Sequence, residues 1–280
     1  VQTAIHVSTG ITGLGSDVGS RLPLVKTMTT TDQQLVIQGS SLKGCIRSVY
    51  EAITNSTLAV IISKYRDRIP PDRLPCKNPK QLCPASRVFG ALDWQGLVEF
   101  SDSICQIKQP SIGFMPSLYS PRPDRREYFV RGRVAGRKFY YNMTRAVDRG
   151  ESRGIPVQQA SRQYTFKTKN LLPEELGILF LILGQDKQAP IALKVGGGKP
   201  IGMGTMTSEV TAISQAQNIQ DRYRDYATSN LQITGSAMQQ WIQTQIAAAK
   251  RSQLLEKAQW QQVADILKYP GTHEPPEGMY

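Results

Sequence analysis

The sequence predicts an α+β chain with elements in the order βαββαβ, long insertions and a helical C-terminal extension. Three observations carry this expectation. A short β-branched run at residues 35–37 leads through a Gly-Ser-Ser turn into an amphipathic helix. A second, almost wholly apolar helix opens at Pro173-Glu174-Glu175. After about residue 212 glycine becomes scarce, glutamine and alanine dominate, and apolar residues recur at helical spacing.

Residues 1–9 alternate loosely through Ala4, Ile5 and Val7 and read as a strand, and the glycines of residues 10–20 read as a flexible loop. Residues 22–25 and 35–37 are short strand candidates on either side of a threonine-rich turn. Leu42, Ile46, Val49, Tyr50 and Ile53 form the apolar face of the first helix, with Ser40 or Ser41 as its cap. That helix ends near Asn55, with an apolar continuation over residues 58–62. Five prolines make residues 64–85 a loop, residues 96–101 a strand follows, and residues 109–125 are again punctuated by proline. Aromatic and basic residues alternate from 128 to 141 around Gly132 and Gly136, which suits an extended hairpin. Residues 164–167 are a further strand candidate. Proline at the first position and acids in the first turn start the second helix, and Gly184 stops it. A strand at 191–195, a glycine-rich loop and a strand over 203–210 close the pattern. In the tail, Ser236 with Gln239 suggests a capping box, and Met238, Ile242, Ile246, Trp260, Val263 and Leu267 give stripes for packing on the core. This order is that of a ferredoxin-like (RRM-like) plait, a fold with many functions, so the site has to be read separately.

A chain of 280 residues holds one large domain or two small ones. Its 34 basic residues exceed its 22 acidic ones by 12, which points to a polyanionic partner, nucleic acid or an anionic surface. No apolar run approaches the roughly 20 residues of a membrane span, and no signal-peptide pattern opens the sequence. Four irregularly spaced cysteines do not form a disulfide framework and indicate a reducing, cytoplasmic setting.

Three stretches carry candidate chemistry. In the first, Lys43 and Arg47 stand one turn apart on the helix opened by Gly39, Ser40 and Ser41, where free amides and two cations would receive a phosphate. A capped core helix with solvated charges fits the same residues. In the second, residues 196–204 hold five glycines, with Gly197, Gly198 and Lys199 at the centre. This is not a P-loop, because Pro200 follows the lysine and Leu193 stands where the first glycine belongs. A tight turn between strands accounts for it equally well. The third, residues 117–149, holds Arg122, Arg125, Arg126, Arg131, Arg133, Arg137, Lys138, Arg145 and Arg149 against Asp124, Glu127 and Asp148. Half of the chain's positive surplus is gathered there beside Tyr128, Phe129, Phe139, Tyr140 and Tyr141. Cations that follow a phosphate backbone and rings that stack on bases suit single-stranded nucleic acid. Cys76 and Cys83 flank a loop as weak candidates for zinc, but His6 and His273 are the only histidines to complete a set of four. His6 and Asp17 are weak candidates for acid–base work.

Several segments together resemble the RAMP superfamily of CRISPR-associated proteins. VIQGSSLKGCIRS resembles the (I/V)PGSSLKGxxR motif, with Gln38 in place of its proline. CPASRVFGALDWQGLVEFSD is similar to the CPxCxLFG segment and its strand, FKTKNLLPEELGILFLIL to the segment of the second helix, and VGGGKPIGMGTM to the glycine-rich loop. The four occur in the family's order over residues 37–206. The resemblance implies an RRM-like core over residues 1–210 with insertions at about 64–85 and 108–163, and a helical extension over 211–280. It implies a guide-RNA (crRNA)-binding backbone subunit of a type III effector complex, working with target RNA and other subunits and without a cofactor. Gly39, Ser40, Ser41, Lys43, Arg47, Gly197, Gly198 and Lys199 would touch the guide, and the basic hairpin of residues 120–142 would be the inserted thumb. Active members carry an aspartate in the loop after the first strand. Aligned on Pro23, that position is Arg21, and a guanidinium cannot act as a carboxylate does. The implied subunit therefore does not cleave, the alternative being an endoribonuclease acting through Asp17 or His6. The family's CPxC reads Cys83-Pro84-Ala85-Ser86, so the zinc motif is broken.

Overall fold

In the computed structural model of the chain, the described residues are 1–32, 34–105, 112–116, 118, 122–147, 165–216 and 230–276, together with the backbone of 155–158. Asp148 and Arg149, singled out above, lie outside them, as do residue 164 of the strand candidate at 164–167 and parts of the proline-punctuated stretch and of the second insertion.

The first strand comes later than the alternation of residues 1–9 suggests. β1 (Ser8–Leu14) takes up much of the expected glycine loop and pairs antiparallel with β2 (Leu24–Met28) across a 3-10 turn at Gly15–Val18. Residues 1–7 form no assigned strand. Ile5 and His6 are nevertheless buried, and the carbonyls of Ala4 and His6 accept from the amides of Gly204 and Gly197. The segment's alternation therefore reports burial under the glycine-rich loop. β3 (Thr30–Thr31) and β4 (Gln34–Ile37) pair next, and Leu35, Val36 and Ile37 are all buried.

Gln38 turns the chain directly into α1 (Gly39–Ile53), whose buried Leu42, Ile46, Val49, Tyr50 and Ile53 are the apolar face read from the spacing. The expected serine cap is not used. Ser40 and Ser41 lie inside the first turn, and Asp102 caps instead, its Oδ1 accepting from the Gly39 amide at 2.8 Å. Only glycine fits at 39, because a Cβ there would stand 2.2 Å from the Phe100 carbonyl oxygen. The helix stops at Thr54, and residues 58–62 run without the helical continuation.

Two 3-10 turns, Ser63–Arg68 and Pro71–Arg73, order the proline-rich loop, and a short helix missed by the sequence, α2 (Pro84–Phe89), follows Cys83. β5 (Gly90–Ala91) pairs with β6 (Trp94–Gln95), then come β7 (Val98–Phe100), β8 (Ser103–Ile104) and β9 (Ile112–Met115). The basic hairpin is shorter than expected. β10 (Phe129–Val130) and β11 (Arg133–Val134) turn at Arg131-Gly132, and residues 135–141 continue without a second turn at Gly136. β12 (Ile155–Gln158) joins β2 and β9 in a four-stranded sheet of order β1-β2-β12-β9, and β13 (Phe166–Thr168) pairs with β7. The apolar helix α3 (Pro173–Ile182) is buried along most of its length, its start fixed by Glu175, which accepts from the Leu172 amide. β14 (Leu193–Lys194) and β15 (Thr205–Met206) bracket the glycine-rich loop.

The described part of the tail opens with a strand pair that the composition hid: β16 (Ile213–Gln215) with β17 (Leu231–Ile233). α4 (Gly235–Arg251) and α5 (Lys257–Leu267) follow. Thr234 precedes α4 without a side-chain cap, so the Ser236 capping box does not form. Met238, Ile242, Ile246, Trp260 and Val263 share one core with α1 and α3. α3 and α4 meet at Gly177, where a Cβ would lie 2.0 Å from the Gln245 carbonyl oxygen. The molecule is thus α+β, with its described strands divided among small, mostly antiparallel sheets. No described helix is long and apolar enough to cross a membrane.

Candidate nucleic-acid interface

Three segments far apart in sequence converge on the middle of α1. Cys45, Ser48 and Val49 of that helix, Lys138, Phe139 and Tyr140 of the basic stretch, and Lys194 of β14 with Lys199 of the glycine-rich loop line one cleft of about 80 Å³. It runs on, past the shared Ser48, Lys138 and Phe139, into a groove of about 340 Å³ bounded by Leu58, Val60 and Arg137.

The basic stretch is held to α1 by a buried carboxylate. Glu51, 2% exposed, accepts from Arg47 Nε at 2.7 Å through one oxygen and from Arg137 Nη2 through the other, and the Ala59 amide adds a third donor at 3.1 Å. Arg47 also donates to the Gly90 carbonyl, and Arg137 to that of Ser48. These two arginines therefore have structural partners, whereas their neighbour Lys138 is exposed and lines the cleft. Its ammonium lies 4.9 Å from the centre of the Tyr140 ring. Burial pulls Lys138 down, but hydrogen bonding to Tyr140 and Tyr128 holds it above the ordinary lysine value.

On the opposite wall, the buried Lys194 donates to the carbonyls of Gly202 and Met203 and to the Thr205 hydroxyl, at 3.0–3.2 Å. Three donors thus have three acceptors, and the ammonium ties the loop's returning limb to β14. Desolvation, helped by the charge of Lys199, lowers Lys194 to about 8. The Cys45 thiol donates to the Lys194 carbonyl at 3.3 Å, and burial pushes it up. Most of the loop's glycines serve the loop itself: at Gly202, with φ of +88°, a Cβ would stand 2.2 Å from the Arg145 carbonyl oxygen. Gly198 is buried, whereas Gly197 is exposed with its amide given to His6. The loop therefore presents Lys199 from its 3-10 turn, Lys199–Ile201, rather than a ring of free amides.

Of the residues that the sequence singled out, the fold brings Lys138 and Lys199 to the cleft, with Arg137 at the adjoining groove. Gly39, Ser40, Ser41 and Lys43 lie toward the start of α1, beyond the cleft lining. Burial and the charge of Arg47 lower Lys43, with Glu99 opposing. Arg122, Arg125, Arg126, Arg131 and Arg133 are exposed on and before the β10–β11 hairpin. Sequence reasoning missed their neighbours in Ser63–Arg68. Lys64 and Arg68 pair with Asp124, the Tyr65 hydroxyl donates to the same carboxylate, and Arg68 lies 5.1 Å over the Phe129 ring. The alternating cations of that run were the available signal. Lys194 was missed as well, since nothing in a strand pattern marks a lysine as buried.

The remaining candidates are scattered. His6 is 2% exposed beneath the glycine loop, so its imidazole is not offered to a substrate. Asp17 is exposed in the turn after β1, with the Ser16 hydroxyl on its carboxylate, and Arg21 is exposed in the same connection. Cys76 and Cys83 stand together, but among the described residues no three of His, Cys, Asp and Glu gather as metal ligands.

The chain matches the RAMP superfamily over residues 1–207 and belongs to it. A comparison with curated proteins gives no match. Membership brings a CRISPR-associated, RNA-binding role, the polyanion for which a cleft walled by lysines is suited.

Proposed function

We propose that this RAMP-superfamily chain is a guide-RNA-binding backbone subunit of a type III CRISPR interference complex. It holds the guide for pairing with target RNA, alongside other subunits, in the cytoplasm and without cleaving. The observation that carries the reading is the meeting of Lys138, Lys199 and the ring of Tyr140 over α1. Ammonium groups on both walls take phosphates, an aromatic edge supports a base, and the glycine loop lets the backbone pass close by. In such an assembly the protein reads backbone and shape, while base pairing reads sequence. The exposed hairpin arginines, with Lys64 and Arg68 beside them, then serve as the thumb. The core over residues 1–210 is read as a ferredoxin-like plait and residues 211–280 as its helical extension, the packing of α1 and α3 within one core being the support.

The inactive reading rests on Arg21 at the position of the aspartate. Asp17, exposed four residues earlier, supports the second reading, an endoribonuclease cutting target or precursor RNA. Labelled target RNA added to the assembled complex separates the two. An unchanged pattern of cuts in Asp17→Ala supports a binding subunit, and loss of one specific cut establishes the nuclease. For the binding site, the double variant Lys138→Ala with Lys199→Ala is titrated with single-stranded guide RNA at several salt concentrations. Each lost phosphate contact reduces the slope of log K against log salt by about 0.7, so the double variant should be shallower by about 1.4 and weaker at every salt. Equal slopes and affinities would remove the cleft from the interface.

A further inference from the structure

Away from the cleft, two thiols share one hydroxyl. The loop that closes on α2 brings Cys83 back to Cys76, and the Cys83 amide donates to Cys76 Sγ at 3.3 Å. The Thr57 hydroxyl, just beyond α1, lies 3.5 Å from Cys76 Sγ and 3.2 Å from Cys83 Sγ. A single oxygen within hydrogen-bond reach of both sulfurs confines them to one small volume. Both cysteines are partly exposed, whereas Cys105 is buried and the Cys45 thiol is committed to a carbonyl within the cleft.

We propose that Cys76 and Cys83 form a redox-reactive dithiol, a modification site for small-molecule disulfides such as oxidised glutathione, which closes to an internal disulfide. Cys83 is the attacking sulfur. It also accepts from the Ser86 amide at 3.3 Å and donates to the Ser86 hydroxyl at 3.2 Å, a partner that can turn its own hydrogen toward the sulfur once a thiolate forms. Burial pushes the Cys83 thiol up, and the hydroxyl and amide donors of Ser86 and Thr57 outweigh it, bringing it down to about 7.

The Cys83 thiolate attacks one sulfur of the oxidant, forming a mixed disulfide and expelling one glutathione thiolate, which takes up a proton. Cys76, giving its proton to solvent, then attacks Cys83 Sγ and expels the second glutathione. Two protein thiols and one disulfide become one protein disulfide and two thiols, the two electrons passing to the glutathione pair. Thr57 and the Cys83 amide hold Cys76 in place for the second step. The device is independent of the RNA reading, since none of its residues lines the cleft.

The test is to treat the full chain with oxidised glutathione, then denature it, block the remaining thiols with iodoacetamide and map the products by mass spectrometry. The expected result is one cross-linked species joining residues 76 and 83, two mass units lighter than the dithiol, with Cys45 and Cys105 alkylated. In Cys76→Ser the reaction should stop at a stable glutathione adduct on Cys83. Should that variant not fold, the wild type still decides through Ellman's reagent: two thionitrobenzoate ions should be released while residues 76 and 83 retain none by mass, whereas a thionitrobenzoate retained on each cysteine would overturn the dithiol. Modification of Cys45 or Cys105 as fast as Cys83, or a mixed disulfide that persists on the wild type, would overturn the proposal.

Discussion

Glu51 lies buried in α1 with Arg47 on one carboxylate oxygen and Arg137 on the other. Removing the charge leaves two guanidinium groups facing each other, only 17% and 27% exposed. A fully buried pair broken at one partner costs about 3–5 kcal/mol, and the partly open arginines reduce that to roughly 2–3 kcal/mol for Glu51→Gln. Denaturant unfolding measures it, with Glu99→Gln at the exposed Lys169 pair as a control expected to cost under about 0.5 kcal/mol. Lys194 makes a second prediction at this scale. Its folded-state value is lowered to about 8 against 10.5 for an ordinary lysine. Between those values the unfolded chain binds the extra proton, so this contribution to stability is present above about 10.5 and is lost as pH falls through about 8. Subtracting the stability of Lys194→Met from that of the wild type across this window should give a difference rising with pH, with a slope of up to about 1.4 kcal/mol per unit. A flat difference would mean that Lys194 titrates as it does in water.

Among the elements, α1 was the most legible and its start the least. The 3.6-residue period fixed which side chains go inside, because burial of a helix stripe depends only on spacing. The cap was misassigned because the group that accepts the first amide, Asp102, belongs to a segment 63 residues away. The α3–α4 contact is set by a similar long-range fact, the absence of a Cβ at Gly177 against the Gln245 carbonyl. Gly177→Ala should push the helices apart and cost about 1–3 kcal/mol. Gly136→Ala, with nothing within 4 Å of the added Cβ, should change stability by less than about 0.5 kcal/mol. Thermal unfolding of both variants compares a buried helix contact with an open loop.

For the whole molecule, the superfamily match ends at residue 207, yet the hydrophobic core does not end there. Phe180 of α3 packs edge-on against Trp241 of α4 at 5.9 Å, and Ile242, Ile246 and Leu267 are among the most buried residues of the chain. Truncation after residue 210 should therefore expose the apolar flank of α3. Residues 1–210 expressed alone are expected to bind a hydrophobic dye and to lose cooperative unfolding, whereas a sharp transition would show that the matched region folds by itself.

By itself the sequence determined the α+β composition, the apolar faces of α1 and α3, the basic surplus and the family motifs, because each is a matter of residue type and spacing along a short stretch. Only the tertiary structure decided which of the charges are open to a ligand. Arg47 and Arg137 look like free cations until Glu51 is seen between them, and Lys194 looks like any strand lysine until three oxygens surround it. Lys138 and Lys199, 61 positions apart, face one cleft because separate segments converge on α1. A charge is spent or free according to its neighbours in space, and those neighbours are chosen by packing, which no local pattern records.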